Sequence, residues 1–178
     1  MNEKNILAAV LIALLLTMAG CGAAEREASE SSMGGAQAQA NDKAANSAAG
    51  FTLQGLDGKE QTVAPGDGKL YVLNFWATWC PPCRQEMPEM DRFAVSHAQD
   101  LVFYGINMQE EKGKVESFLK ENDYKMPVLL DTKGKAADAY HVRVIPTTVI
   151  VDGKGEVKLR KEGMATEKEL EGALARVK

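Results

Sequence analysis

Histidine and cysteine are scarce in this 178-residue chain. It has two histidines, His97 and His141, and three cysteines, Cys21, Cys80 and Cys83. Zinc normally takes four ligands, and there is no second cysteine pair to complete a set, so no metal site is expected. Excess positive charge is also missing: 21 Lys and Arg against 25 Asp and Glu leave a net charge of -4. With no basic stripe and no aromatic-plus-arginine cluster, nucleic acid is not an expected partner. No internal repeat is visible, and no apolar run reaches the ~20 residues of a membrane-spanning helix. What remains is a chain that is 45% hydrophobic, enough for one ordinary globular domain with a core, plus extras.

The extras lie at the start. Lys4 gives a weakly basic beginning, residues 6–16 are wholly apolar, and Ala19-Gly20 precede Cys21. This is the pattern of a signal-peptide core. Leu16-Thr17-Met18-Ala19-Gly20-Cys21 resembles a bacterial lipoprotein signal, which implies that Cys21 is lipidated and becomes the mature N-terminus. Met18 departs from that pattern, which usually has Leu three residues before the cysteine. An uncleaved anchor and an ordinary secretory signal are the other two readings. Residues 22–49 are rich in Ala, Ser, Gly, Gln and Asn, with Met33 the only large apolar side chain. Such a segment buries too little surface to offset its ordering entropy and reads as a flexible tether. The expected organisation is a signal segment over 1–21, a tether over 22–49 and a domain over 50–178.

Within 50–178, Phe51, Leu53 and Val63 flank a turn at Asp57-Gly58, which suggests a hairpin. Residues 70–75 and 101–107 read as buried strands. Residues 81–96 read as a helix, with Met87, Met90 and Phe93 on one face. Pro88, inside that pattern, should kink it. A helix over 111–122 carries Val115, Phe118 and Leu119. Residues 128–130 are extended, 133–141 form a short helix, and 147–151 form a β-branched strand after Pro146. The turn 152–155 leads to a strand over 156–162. Thr166 and Glu169 form a capping box for a terminal helix with Leu170, Leu174 and Val177 inward. Alternation of strands and helices argues for a compact α/β fold with a central mixed β-sheet flanked by helices.

The chemistry concentrates in Trp79-Cys80-Pro81-Pro82-Cys83. Cys80 falls at a strand-to-helix junction, where free N–H groups and the helix dipole favour negative charge. The thiolate is the reactive form of cysteine, so this is a fitting place for a redox cysteine. Cys83 lies one turn on, close enough to close a small disulfide ring. Three cysteines leave one odd thiol. If Cys21 is acylated, Cys80 and Cys83 form a self-contained pair, and export places that pair where thiols tend to be oxidised. A purely structural disulfide stays open as an alternative.

The segment 74–83, Asn74-Phe75-Trp76-Ala77-Thr78-Trp79-Cys80-Pro81-Pro82-Cys83, resembles thioredoxin-fold proteins. The closer likeness is to the TlpA/ResA-like branch of membrane-anchored, extracytoplasmic thiol-disulfide oxidoreductases. Glu86-Met87-Pro88, the insertion around 108–130 that ends in Pro127-Val128-Leu129-Leu130-Asp131, and Val144-Ile145-Pro146-Thr147-Thr148 carry the rest of the resemblance. It implies a thioredoxin fold with an N-terminal hairpin and a central insertion. It also implies a cis peptide at Pro146 and substrate contact through the backbone of Ile145, beside Trp79. Asn74 stands where cytosolic thioredoxins have an aspartate, so that aspartate's acid-base role does not transfer to it. In the TlpA/ResA-like branch the acid is a glutamate in the active-site helix, and Glu86 occupies the matching place.

On this reading Cys80 attacks a target disulfide and Cys83 resolves the mixed disulfide. Glu86, one turn beyond Cys83, exchanges protons with the thiols if burial keeps it from ionising. Pro81 and Pro82 lack N–H donors and no histidine lies between the cysteines. A modestly lowered Cys80 pKa near ~7, and hence a reducing role, is therefore expected. Trp76 is expected in the core, Trp79 at the rim, and His97 and His141 at the surface or at helix ends. The resemblance implies an exported protein disulfide as substrate, with apocytochrome c the family's best-known one. It also implies a membrane electron donor of the CcdA or DsbD type; no cofactor and a monomer are expected. The rival readings are an exported oxidase or isomerase, a redoxin-type thiol peroxidase, and a tethered module that only binds.

Overall fold

The computed structural model describes residues 46–177. The signal segment, Cys21 and the tether up to residue 45 lie outside the described residues. Seven strands form one mixed sheet in the order β2-β1-β5-β4-β3-β6-β7. They are β1 (Phe51–Gly55), β2 (Glu60–Val63), β3 (Tyr71–Trp76), β4 (Val102–Met108), β5 (Val128–Asp131), β6 (Thr147–Val151) and β7 (Val157–Glu162). The helices are α1 (Pro81–Ser96), α2 (Lys112–Glu121), α3 (Lys135–Ala139) and α4 (Glu167–Val177). β3 sits centrally, parallel to β4 and antiparallel to β6. Every residue of β3 is buried, as its near-continuous apolar sequence requires when helices cover both faces.

Alternation along β3 sorts the core. Val72 and Trp76 face the layer of Met87, Met90 and Phe93 from α1 and Leu170 and Leu174 from α4. Tyr71, Leu73 and Phe75 face the other layer, with Leu129, Ala136, Ala137 and Tyr140. α4 is held at its start by the expected capping box: Thr166 N donates to Glu169 Oε2 (2.9 Å), and Glu169 N donates to Thr166 Oγ1 (3.2 Å). Its apolar stripe does more than its cap, since burying a leucine contributes about 1.5–3 kcal/mol. β7 lies at the sheet edge and alternates half-buried with exposed residues, so Lys158 and Arg160 point outward and discourage further strand pairing.

α1 runs from 81 to 96, with Pro88 inside it on the exposed side. One detail departs from the sequence reading. Of the residues 46–49, assigned to the tether, three are hydrogen-bonded to the domain. Val157 N donates to Asn46 O (2.8 Å), Ala48 N to Gly155 O (2.8 Å) and Tyr140 Oη to Ala49 O (2.8 Å). Asn, Ser and Ala carry little apolar signal, and these hydrogen bonds use the segment's backbone atoms, which composition does not register. The inserted segment is continuous with the sheet: β5 pairs in parallel with β4 and antiparallel with β1, so it joins the hairpin to the centre.

Candidate active site

β3 ends at Trp76 and a three-residue turn delivers Cys80 as the N-cap of α1. Cys80 and Cys83 are joined as a disulfide. Cys80 retains 3% exposure and Cys83 none, so an incoming group meets the Cys80 sulfur first. Pro81 and Pro82 fill the first two helical positions, and the first N–H left in the helix is that of Cys83. It points at Cys80 Sγ, 3.2 Å away. The prolines therefore leave the Cys83 N–H as the donor nearest the Cys80 sulfur.

The turn before Cys80 is clamped from the insertion side. Glu110, buried at the end of β4, accepts from Thr78 N (2.6 Å), Thr78 Oγ1 (2.7 Å) and Asn107 Nδ2 (2.9 Å), and pairs with Lys114 Nζ (2.6 Å). Burial pushes its carboxyl up, but these donors outweigh burial and hold it below the ordinary value. Phe118 of α2 rests on the Trp76 ring, with centroids 5.5 Å apart, and the Arg84 guanidinium lies 5.7 Å over Phe118. The insertion thus braces both the turn and the start of α1.

Glu86 is 4% exposed on the inner face of α1. Burial pushes its carboxyl up to about 7, and the Glu89 charge adds to this. Donation from Ala165 N–H and from the Asn74 amide pulls the other way. Ala165 N donates to Oε2 (2.8 Å) and Asn74 Nδ2 to Oε1 (2.8 Å). The position expected to need burial has it.

The Ile145–Pro146 peptide is cis. The Ile145 carbonyl oxygen lies 3.8 Å from Cys80 Sγ. Thr147 Oγ1 donates to Val144 O (2.8 Å), and Gly163 N donates to Pro146 O (2.8 Å), which ties this loop to the β7–α4 loop. Trp76 is buried and Trp79 is 63% exposed, the core and rim places expected of them. His97 caps the C-terminus of α1, and His141 is exposed just past α3. Among the described residues, no group of three or more His, Cys, Asp or Glu is placed to hold a metal ion.

Sequence reasoning missed several residues at this site. Val144 and Met164 are exposed apolar side chains on the two loops joined at Pro146, next to the Ile145 carbonyl that approaches Cys80 Sγ. For Asn74, a polar residue inside a buried apolar strand was the clue. Nothing local marks Thr78 and Glu110 as partners, because they are 32 positions apart.

Comparison with known proteins identifies the family. The AhpC/TSA family model matches residues 44–160. The thiol-disulfide oxidoreductase ResA of Geobacillus kaustophilus is 35% identical over 72% of this chain and 74% of its own. The crystal structure of StoA from Bacillus subtilis superposes with a TM-score of 0.64 at 31% identity, covering 71% of this chain and 96% of that one. The pneumococcal exposed lipoprotein thioredoxin Etrx1 from Streptococcus pneumoniae gives 0.64 at 31% identity, covering 72% and 99%. The chain belongs to the AhpC/TSA family of the thioredoxin superfamily, and it is a thiol-disulfide oxidoreductase of the ResA-like type.

Proposed function

We propose that this enzyme reduces disulfides in exported proteins, such as apocytochrome c, outside the cytoplasm. A lipid on Cys21 would hold it at the membrane as a monomer. The observation that carries the chemistry is the pair itself: a disulfide at the N-terminus of α1, with Cys80 the reachable sulfur and a buried Glu86 one turn beyond Cys83. In the reduced enzyme the Cys80 thiolate attacks a substrate disulfide. A Cys80–substrate bond forms, the substrate S–S bond breaks, and the first substrate sulfur leaves and takes a proton. Glu86, as carboxylate, accepts the Cys83 proton. The Cys83 thiolate then attacks Cys80 Sγ, closes the 80–83 disulfide and releases the second substrate sulfur, which also takes up a proton. The substrate gains two electrons and two protons, and the enzyme dithiol loses them. Trp79 and the Ile145 backbone, beside the cis Pro146, hold the substrate segment across Cys80.

An exported reductant consumes electrons at every turnover, so a membrane donor of the CcdA or DsbD type would restore the dithiol. Location rests on the signal-like N-terminus and on similarity to Etrx1, a protein described as an exposed lipoprotein. Among the described residues no helix is long and apolar enough to cross a membrane.

The test is capture. Cys83→Ser leaves Cys80 able to attack but nothing to resolve, so the variant should accumulate a mixed disulfide with an exported protein. Capture of no exported protein, or equal capture by Cys80→Ser, would overturn the proposal. A reduction potential near about −270 mV supports the reducing direction, and one at about −180 mV or above supports an oxidase or isomerase. Cys21→Ser should move the protein out of the membrane fraction; unchanged membrane association rules out the lipid anchor.

A further inference from the structure

Asn74 puts an amide into the buried β3 strand, with no exposed surface. Its Nδ2 donates to Glu86 Oε1 (2.8 Å) and to Thr148 Oγ1 (3.0 Å). Its Oδ1, equally enclosed, has no hydrogen-bond partner. A buried acceptor left unpaired costs about 1–3 kcal/mol and calls for a reason. The surroundings of Glu86 supply one. Oε2 accepts from the Ala165 N–H, a backbone donor that cannot reverse its role. A proton arriving on Glu86 therefore settles on Oε1, the oxygen that faces Asn74. With the amide as it stands, an N–H would then point at an O–H. Turning the amide over exchanges its ends. Oδ1 then accepts from the Glu86 O–H, and the Thr148 hydroxyl, both donor and acceptor, can turn its hydrogen toward Oδ1. One amide atom lacks a partner in either orientation, so the exchange loses no bond.

We propose that Asn74 is a positioning residue that holds Glu86 in both protonation states, through Nδ2 when the carboxylate is charged and, after the amide turns over, through Oδ1 when it is neutral. The proposal rests on the reading of Glu86 as the proton-exchanging group of the Cys80/Cys83 cycle. The groups facing Glu86 are few. They are Asn74 of β3, with Thr148 of β6 behind it, the Ala165 N–H from the loop before α4, and on α1 itself the Glu89 charge and Cys83 one turn back. None is a cation, so the amide is the adjustable partner. An aspartate at position 74 would instead confront Glu86 with a second titrating carboxyl. A neutral amide that reverses lets a proton come and go without dismantling the network that connects β3, β6 and α1.

The experiment follows the Glu86 Cδ carbon and the Asn74 side-chain amide by NMR as pH is varied, in the oxidised full-length chain. Both signals should move with one midpoint. Cross-peaks between the Asn74 amide protons and Thr148 should lose most of their intensity as Glu86 takes up its proton. Cross-peaks that stay constant through the Glu86 midpoint would overturn the proposal, as would a Glu86 that does not titrate. Asn74→Ala removes the donor to the carboxylate and should raise the proton affinity of Glu86 about tenfold, one pH unit; an unmoved midpoint counts against the proposal. The pH–rate profile of Glu86→Gln separates the two ideas. If that profile matches wild type, the proton-exchange reading fails even where the amide turns over. If it changes while the amide stays fixed, the Asn74 proposal alone fails.

Discussion

Two buried glutamates flank the turn that presents Cys80, and they have opposite characters. Glu110 has four donors around its carboxylate, one of them the Lys114 ammonium, and is held below the ordinary value. Glu86 has two donors, both neutral, with the Glu89 charge nearby, and is pushed up to about 7. Their exposure is similar, 4% for Glu86 and 7% for Glu110. Both side chains are nearly closed to solvent, but Glu86 lies deeper in the protein, so depth of burial together with the count and charge of the donors sets what each carboxyl does. Glu110 is a fixed anion that clamps a turn. Glu86, with its carboxyl pushed up toward neutral pH by burial, has the character the proposed proton exchange requires.

The two glutamates should differ most in how stability depends on pH. The folded pKa of Glu86 lies above its ordinary 4.5, so the folded state keeps a proton that the unfolded state has released between those values. The stability tied to this group is full below pH 4.5 and is lost as pH rises through about 7, a difference of about 3 kcal/mol. Denaturant unfolding of the oxidised protein at pH 4.5 and pH 8 should show it, and Glu86→Gln should remove that part of the slope. A wild-type curve identical to the variant's would erase the distinction between the two sites.

Glu110→Ala comes next. It strands the Thr78 N–H and the Asn107 amide and should destabilise the protein by about 2–3 kcal/mol at pH 7. Because the folded pKa of Glu110 is depressed, the contribution of its charge is present above the unfolded value and lost as pH falls through the folded one. The gap between wild type and variant should therefore narrow in acid, opposite in sign to the Glu86 effect. A gap that is constant with pH would mean that Glu110 acts through shape alone. The smallest effect belongs to Lys114→Met. The Lys114 side chain is 57% exposed, so solvent screens the pair and the loss should stay below about 1 kcal/mol. A loss as large as that of Glu110→Ala would place the clamp in the ion pair rather than in the turn.

Much of the frame was legible in the sequence because it is written in local periodicity. The apolar run of β3, the Met87-Met90-Phe93 face of α1 and the Thr166–Glu169 capping box all appear where residue spacing puts them. The Cys80/Cys83 pair and the place of Glu86 one turn beyond it follow from helix geometry in the same way. The cis peptide at Pro146 was implied by family resemblance, since a proline at a strand start is compatible with either isomer. The polar wiring was not legible. Asn74 meets Thr148 across 74 positions, and Ala165 reaches Glu86 across 79. Such contacts depend on sheet order and loop docking, and they leave no repeat or spacing behind. The domain's first residues, 46–49, escaped notice because backbone atoms hold them.

On the proposed mechanism Glu86 exchanges the proton for the Cys80/Cys83 cycle while Glu110 only holds the turn. The most direct measurement is the rate of reduction of a test protein disulfide from pH 5 to 9 by wild type, Glu86→Gln and Glu110→Gln. A limb near pH 7 should appear in wild type, disappear in Glu86→Gln and persist, at a lower overall rate, in Glu110→Gln. A limb that survives in Glu86→Gln, or vanishes in Glu110→Gln instead, would contradict that mechanism.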